Sequence, residues 1–275
     1  MRSRGTRSCS VGFRRHAAVA VLGALVLAGC GAQQQPADLV TGQAAARPEP
    51  APERVDPALP EATTFGSIPT APGDADPQAE TSGIVLRVKQ ELAVHDAPGG
   101  AAFARLPAMQ LNNPTWVPVI AHSGDWARIL LPSRPNGSTG WVRLGGPERT
   151  EQARSPYVVD IDVDARRLEL REDGHPIGTW TVGVGAAKSP TPRGRTFVMA
   201  AIEETVTKFS PVILPLGTHS ETFSTYGGGP GTVALHGWPD PSVFGKGSSD
   251  GCVRVPDDAL RTLTSLPLGT LVLLR

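Results

Sequence analysis

The chain has 275 residues, 26 basic against 26 acidic side chains and 40% hydrophobic residues. This allows one or two domains with a sizeable core, and the formal net charge of zero gives no electrostatic reason to expect a nucleic-acid partner. Thirty-one glycines and 27 prolines favour short strands and loops over long helices.

Residues 1–30 read as an export signal and not as part of the fold. Arg2, Arg4, Arg7, Arg14 and Arg15 form a basic start, and the apolar run over 17–28 that follows is shorter than the about 20 residues a spanning helix needs. The run ends in Leu27-Ala28-Gly29-Cys30. Small residues directly before a cysteine resemble a bacterial lipobox, which implies cleavage ahead of Cys30 and lipid on its sulfur. The expected location is the outer face of the cytoplasmic membrane. Of three cysteines, Cys9 leaves with the signal and Cys30 takes lipid, so Cys252 is the lone thiol of the folded part. Such a thiol in an oxidising compartment is either inert and buried or reactive by purpose.

Residues 31–81 contain nine prolines and almost no aromatic residue, a composition that predicts a disordered, extended tether. Residues 82–147 form a first domain of short strands. Ile84, Leu86 and Val88 alternate with Val85, Arg87 and Lys89, and turn clusters at Pro98-Gly99-Gly100, Ser123-Gly124-Asp125 and Asn136-Gly137-Ser138 divide the remainder. This layout, with its closing Gly140-Trp141-Val142, resembles bacterial SH3-like small barrels. The resemblance implies either a wall-binding or positioning role, or a structural spacer.

Residues 155–275 form a second domain that is mostly β. Val159, Ile161 and Val163 alternate with aspartates, Leu168 and Leu170 with charged residues, and Trp180, Val182 and Val184 continue the pattern, predicting a meander of hairpins. Further strands are expected at 197–202, 232–235 and 271–274. A short helix is expected from Pro256, because proline suits a first turn and Asp257 and Asp258 complement the positive helix end.

The chemistry concentrates between His236 and Arg254: His236-Gly237, eleven residues of loop, then Ser249-Asp250-Gly251-Cys252-Val253-Arg254. A thiol attacks as thiolate and a free cysteine titrates near about 8.5, so a neighbouring imidazole is needed to take the proton and return it to a leaving amine. A backbone carbonyl such as that of Gly237 can hold the other ring nitrogen. Amides around Gly251 and Cys252 can stabilise a tetrahedral oxyanion. Gly227 to Gly231 lacks the Gly-Lys-Ser/Thr ending of a phosphate loop. His95, His122, His175 and His219 have no metal-ligand spacing and read as surface or loop residues; no metal and no cofactor is expected. Glu203-Glu204 reads as a solvated strand end.

Leu235-His236-Gly237 followed by Ser249-x-Gly251-Cys252-x-Arg254 resembles the active-site signature of the L,D-transpeptidases, the YkuD-type catalytic domain. Ser189-Pro190-Thr191-Pro192-Arg193-Gly194 is similar to that family's threonine-proline-x-glycine turn, and the glycine-rich 227–231 leads into the His236 strand as in relatives. The resemblance implies a mainly β fold: a small SH3-like barrel followed by a β-rich catalytic domain with one or two short helices. It implies a peptidoglycan L,D-transpeptidase that attacks the third residue of a tetrapeptide stem, releases the terminal D-alanine and passes the acyl group to a second stem's amine. Cys252 is then the nucleophile and His236 the base, with Gly237 orienting it. Gly251 with Cys252 builds the oxyanion site, and Ser249, Asp250 and Arg254 shape the substrate pocket, Arg254 having an ion pair beneath the loop as its alternative. The family usually has histidine where this chain has Asp250, which leaves open a raised thiol pKa, a hold on His236 or attraction of an acceptor ammonium. L,D-carboxypeptidase action uses the same residues, and an inactive wall-binding lipoprotein is the rival from another class. A papain-like hydrolase fits less well, because His236 precedes Cys252.

Overall fold

The computed structural model describes residues 54–225 and 229–275. The expected export signal, Cys30, the tether as far as residue 53, and Gly227 and Gly228 of the glycine run lie outside the described residues. Among the described residues the fold is mainly β, with one α-helix at Asp257–Thr264 and a 3-10 turn at Pro241–Val243.

Seven strands between residues 84 and 154 form a first sheet, with Ala102–Leu106 at one end, Thr150–Arg154 at the other and the hairpin Trp116–Ser123/Trp126–Leu130 inside it. Thr150–Arg154 pairs antiparallel with Ile84–Val88, from Ile84 opposite Arg154 to Val88 opposite Thr150. The first sheet therefore runs past the expected boundary at 147. Gly145-Gly146-Pro147 makes a turn that returns the chain to the sheet: the Arg149 amide donates to the Gly146 carbonyl at 2.9 Å.

Two larger sheets build most of the second half, beside a two-stranded pair of Val184–Gly185 with Gly247–Ser249. Five strands lie in the order His175–Thr181, Arg167–Glu172, Tyr157–Asp162, Leu271–Leu274, Gly194–Phe197; four lie in the order Ile202–Glu203, Val212–His219, Thr232–His236, Val253–Arg254. The alternation over 157–172 gives the hairpin pairs Val159 with Leu170 and Ile161 with Leu168, all four fully buried. The expected strand at 197–202 is split, because the chain changes sheets there. Phe197 pairs with Leu271, whereas Ile202 pairs with Ile213, and between them the Met199 amide donates to the Pro215 carbonyl at 2.9 Å. The helix follows Pro256, carries Asp257 and Asp258 in its first turn and buries Leu260 and Leu263, closing a core shared by both sheets of this half.

The halves are not independent. Phe197, Met199, Leu271 and Leu273 of the second half belong to the core of the first sheet, and the described residues make one compact unit. Gly269 (φ +81°) shows how closely they meet, since a Cβ there would lie 3.1 Å from Val85.

Residues 54–81 correct the expectation of a disordered tether: they form a strap across both halves. The Ala62 amide donates to the Arg105 carbonyl, Ile68 to Arg134 and Thr139 to Pro72, each at 2.8 Å. Ala62 and Ile68 are buried. At the far end Arg195 grips Asp74 with two bonds, Nε–Oδ2 at 2.6 Å and Nη2–Oδ1 at 2.7 Å. Composition misleads here because it weighs only apolar burial. Prolines restrict the unfolded chain and so reduce the entropy lost on ordering, while the remaining amides find carbonyls on the sheets.

Candidate active site

His236 ends the strand Thr232–His236, which pairs in parallel with Val253–Arg254, Leu235 beside Val253 and His236 beside Arg254. Leu235 and Val253 are fully buried in the second core. Side chains alternate along a strand, so His236 and Arg254 share the opposite face, and Cys252 directly precedes the strand of Arg254. All three line one cavity of about 600 Å³, together with Ser249, Asp250 and Trp238. Cys252 is partly exposed and in no disulfide, so it is not sealed in an apolar core.

His236 is buried, with 6% of its surface exposed. Its Nδ1 lies 2.7 Å from the Gly237 carbonyl oxygen. A carbonyl only accepts, so Nδ1 carries the proton and the Nε2 lone pair is left as the basic site. Burial holds the imidazole well below its usual range, at about 4; the bond to Gly237 opposes the shift and the Arg254 charge adds to it. At neutral pH the ring is therefore uncharged and able to accept a proton.

Sequence reasoning missed what surrounds this ring. Ser210 Oγ accepts the Gly237 amide at 2.8 Å and donates to the Val212 carbonyl at 2.6 Å, pinning the peptide that orients the histidine. Phe209 packs edge-on to the imidazole at 5.0 Å between centroids, and Trp238 lies at 6.0 Å. No local pattern announces them: Phe209 and Ser210 sit more than 25 positions upstream and arrive by sheet pairing.

The turn before Cys252 is built from within. Gly251 has φ +119°, a region that disfavours a Cβ, although a Cβ would meet nothing closer than 3.7 Å; conformation and not space requires glycine. The Gly251 amide donates to Ser249 Oγ at 3.2 Å, so this amide, expected at the oxyanion, is already engaged. Ser249 is buried, and its hydroxyl also donates to the Cys252 carbonyl at 2.5 Å, which commits it to the turn. Thr191 Oγ1 accepts the Gly185 amide and donates to the Gly251 carbonyl, both at 2.9 Å, and Ser189 Oγ donates to the Ser249 carbonyl at 3.1 Å. The 189–194 motif thus braces the turn that leads into Cys252.

Arg254 stacks on an aromatic ring, its guanidinium carbon 3.8 Å from the Trp238 ring centre. Nη1 donates to Ser248 Oγ at 3.2 Å, and Nε is buried without a hydrogen-bond partner among the described residues. Burial lowers its pKa, while the charges of Cys252 and Asp250 pull it back up. Asp250 is exposed at the cavity wall. Glu204, expected as a solvated strand end, caps a loop: its Oε1 accepts the amides of Val206 at 2.6 Å and Thr207 at 2.9 Å.

Two histidines expected at the surface are buried. His95 is 5% exposed, with Nδ1 2.8 Å from the Gly100 carbonyl. His219 is fully buried at the end of the strand Val212–His219. Each is the last residue of a strand, Leu92–His95 and Val212–His219. Among the described residues no group of three or more His, Cys, Asp or Glu could hold a metal ion.

Residues 156–274 match the model of the YkuD family, the L,D-transpeptidase catalytic domain. A protein of Bacillus licheniformis, described as a candidate L,D-transpeptidase YkuD, is 29% identical over 150 residues, covering 53% of this chain and 84% of that protein. Its counterpart in Bacillus subtilis is 25% identical over 142 residues, 51% of this chain and 79% of that protein. An L,D-transpeptidase structure from Mycobacterium smegmatis aligns over 57% of this chain and 92% of its own, with 13% identity and a TM-score of 0.40. The comparisons thus support a YkuD-type L,D-transpeptidase catalytic domain over residues 156–274.

Proposed function

We propose that this chain is a peptidoglycan L,D-transpeptidase working through an acyl-enzyme on Cys252. The observation that carries the proposal is a neutral, buried His236, held in the Nδ1–H form by Gly237, in the same cavity as a partly exposed thiol. His236 Nε2 takes the thiol proton as sulfur attacks the carbonyl carbon of the third stem residue. The tetrahedral oxyanion is stabilised by backbone donors of the turn around Cys252. The C–N bond to the terminal D-alanine then breaks and the imidazolium returns its proton to the leaving amine. An acceptor amine attacks the thioester with His236 again as base, forming the new amide and freeing the thiol.

The free faces of the site have complementary tasks. Arg254, stacked on Trp238 at the cavity wall, takes a stem carboxylate, and exposed Asp250 meets the acceptor ammonium. Export through residues 1–30 and lipid on Cys30 would hold the enzyme at the outer face of the membrane, facing the wall. The sheet over 84–154, read as an SH3-like domain, positions the catalytic half.

Incubating the chain from residue 31 onward with purified stem tetrapeptide and reading the products by mass tests this. A cross-linked dimer is the expected product. A trimmed tripeptide would make the enzyme an L,D-carboxypeptidase, and unchanged peptide would favour an inactive wall-binding lipoprotein.

A further inference from the structure

We propose that Phe65 and Leu111, both outside the catalytic half, are specificity-determining residues that contact the substrate peptide along its apolar side. The proposal rests on the transpeptidase reading above and extends it to the strap and the first sheet. Both residues line the same cavity as His236 and Cys252.

A single exposed apolar side chain needs no explanation, but Phe65 is 67% exposed on a backbone that is held with unusual care. Its neighbour Thr64 is buried and joined to three elements. The Thr64 amide donates to Gln110 Oε1 at 3.3 Å; Thr64 Oγ1 lies 2.5 Å from Thr232 Oγ1 and 3.1 Å from His219 Nε2; and that Nε2 lies 2.7 Å from the Thr64 carbonyl. Thr64, Gln110 and His219 are 2%, 8% and 0% exposed. A turn closed by the Gly66 amide on the Thr63 carbonyl at 2.8 Å then sets the ring at the cavity.

Leu111 is presented by the same anchor. It follows Gln110 in a two-residue turn in which Leu111 and Asn112 adopt φ +50° and +59°, a conformation that asparagine tolerates and a bulky leucine does not favour. Strained, over-determined backbone beside a cleft is a mark of function. Buried polar bonds and strain thus serve to hold two apolar side chains at the cavity wall. The nucleophile side of the cavity is polar, with Asp250 and Arg254 of opposite charge. A short peptide with its charged groups on one flank and its methyl groups on the other suits both walls. Apolar contact with Phe65 and Leu111 then selects and registers that peptide before attack.

The test uses the full chain carrying Cys252→Ala, titrated calorimetrically with stem tetrapeptide, alone and with Phe65→Ala or Leu111→Ala added. Each addition is expected to weaken binding about five- to tenfold, and Phe65→Leu to restore most of the loss. Ile177→Ala, an equally apolar exposed change (52% exposed) outside the cavity, is expected to leave binding as it was. In the catalytically intact chain Phe65→Ala is expected to raise KM for D-alanine release with kcat unchanged. Unchanged affinity in both wall variants, equal loss in Ile177→Ala, or no tetrapeptide binding to Cys252→Ala would overturn the proposal. Wall-dependent binding without D-alanine release from the intact chain would uphold the subsite while refuting the transpeptidase reading.

Discussion

Asp74→Ala should destabilise the protein by about 3–5 kcal/mol, the usual cost of breaking a buried ion pair by removing one partner. The side chains of Arg195 and Asp74 are 7% and 3% exposed, and Arg195 belongs to an edge strand of the second half. Two bonds join the pair at 2.6 and 2.7 Å, and the third guanidinium nitrogen donates to the Ala79 carbonyl at 3.2 Å. The Asp74 amide donates to the Gly137 carbonyl of the first half at 2.8 Å, so one residue ties the strap to both halves. Removing its carboxylate leaves a guanidinium buried without its counter-charge, and that residual charge accounts for most of the cost. Replacing both partners by apolar residues (Asp74→Leu with Arg195→Met) should therefore recover most of the loss, because no charge is left stranded. Urea unfolding followed by tryptophan fluorescence measures each term, with the exposed pair Arg154–Asp173, 60% and 56% exposed, as a control worth under about 1 kcal/mol. A cost for Asp74→Ala below about 1 kcal/mol, or a double variant no better than the single one, would refute the reasoning.

Three further outcomes follow from the site. The acid limb of D-alanine release should fall near pH 4, where His236 titrates; Phe209→Ala, which uncovers the ring, should move that limb up toward about 6.5, as a pH–rate profile would show. His219 is held at about 4 mainly by burial, so between 6.5 and 4 the unfolded chain binds a proton the native one does not. The stability linked to it is complete above about 6.5 and is lost as pH falls through 4, about 3 kcal/mol in all; His219→Gln should flatten that slope in urea titrations across this range. Arg254→Lys, which keeps the charge but loses the planar stack on Trp238, should raise KM for tetrapeptide about tenfold, measurable by D-alanine release.

The parts of this molecule written in consecutive residues were legible in its sequence. Alternation marked Ile84–Val88 and Tyr157–Asp162, and the motifs around His236 and Cys252 marked the residues that line one cavity. What pairing across the chain creates was not legible. Ser210 reaches Gly237 and Thr64 reaches Thr232 because strands distant in sequence lie side by side, and no local pattern encodes that. The strap was misjudged because its order comes from amide–carbonyl bonds to the sheets and from the Asp74–Arg195 pair, while composition reports only how little apolar surface it can bury. The Gly251 amide looked like an oxyanion donor from its place beside the cysteine, until the Ser249 hydroxyl proved to hold it.

The covalent step is tested most directly by trapping it. The chain is mixed with stem tetrapeptide, quenched in acid within the first turnovers, digested and mapped by mass. The account predicts a peptide lacking its last residue, bound as a thioester to Cys252 and missing from the Cys252→Ala protein. Product formed with Cys252 unmodified throughout, or the same adduct on another residue, would contradict it.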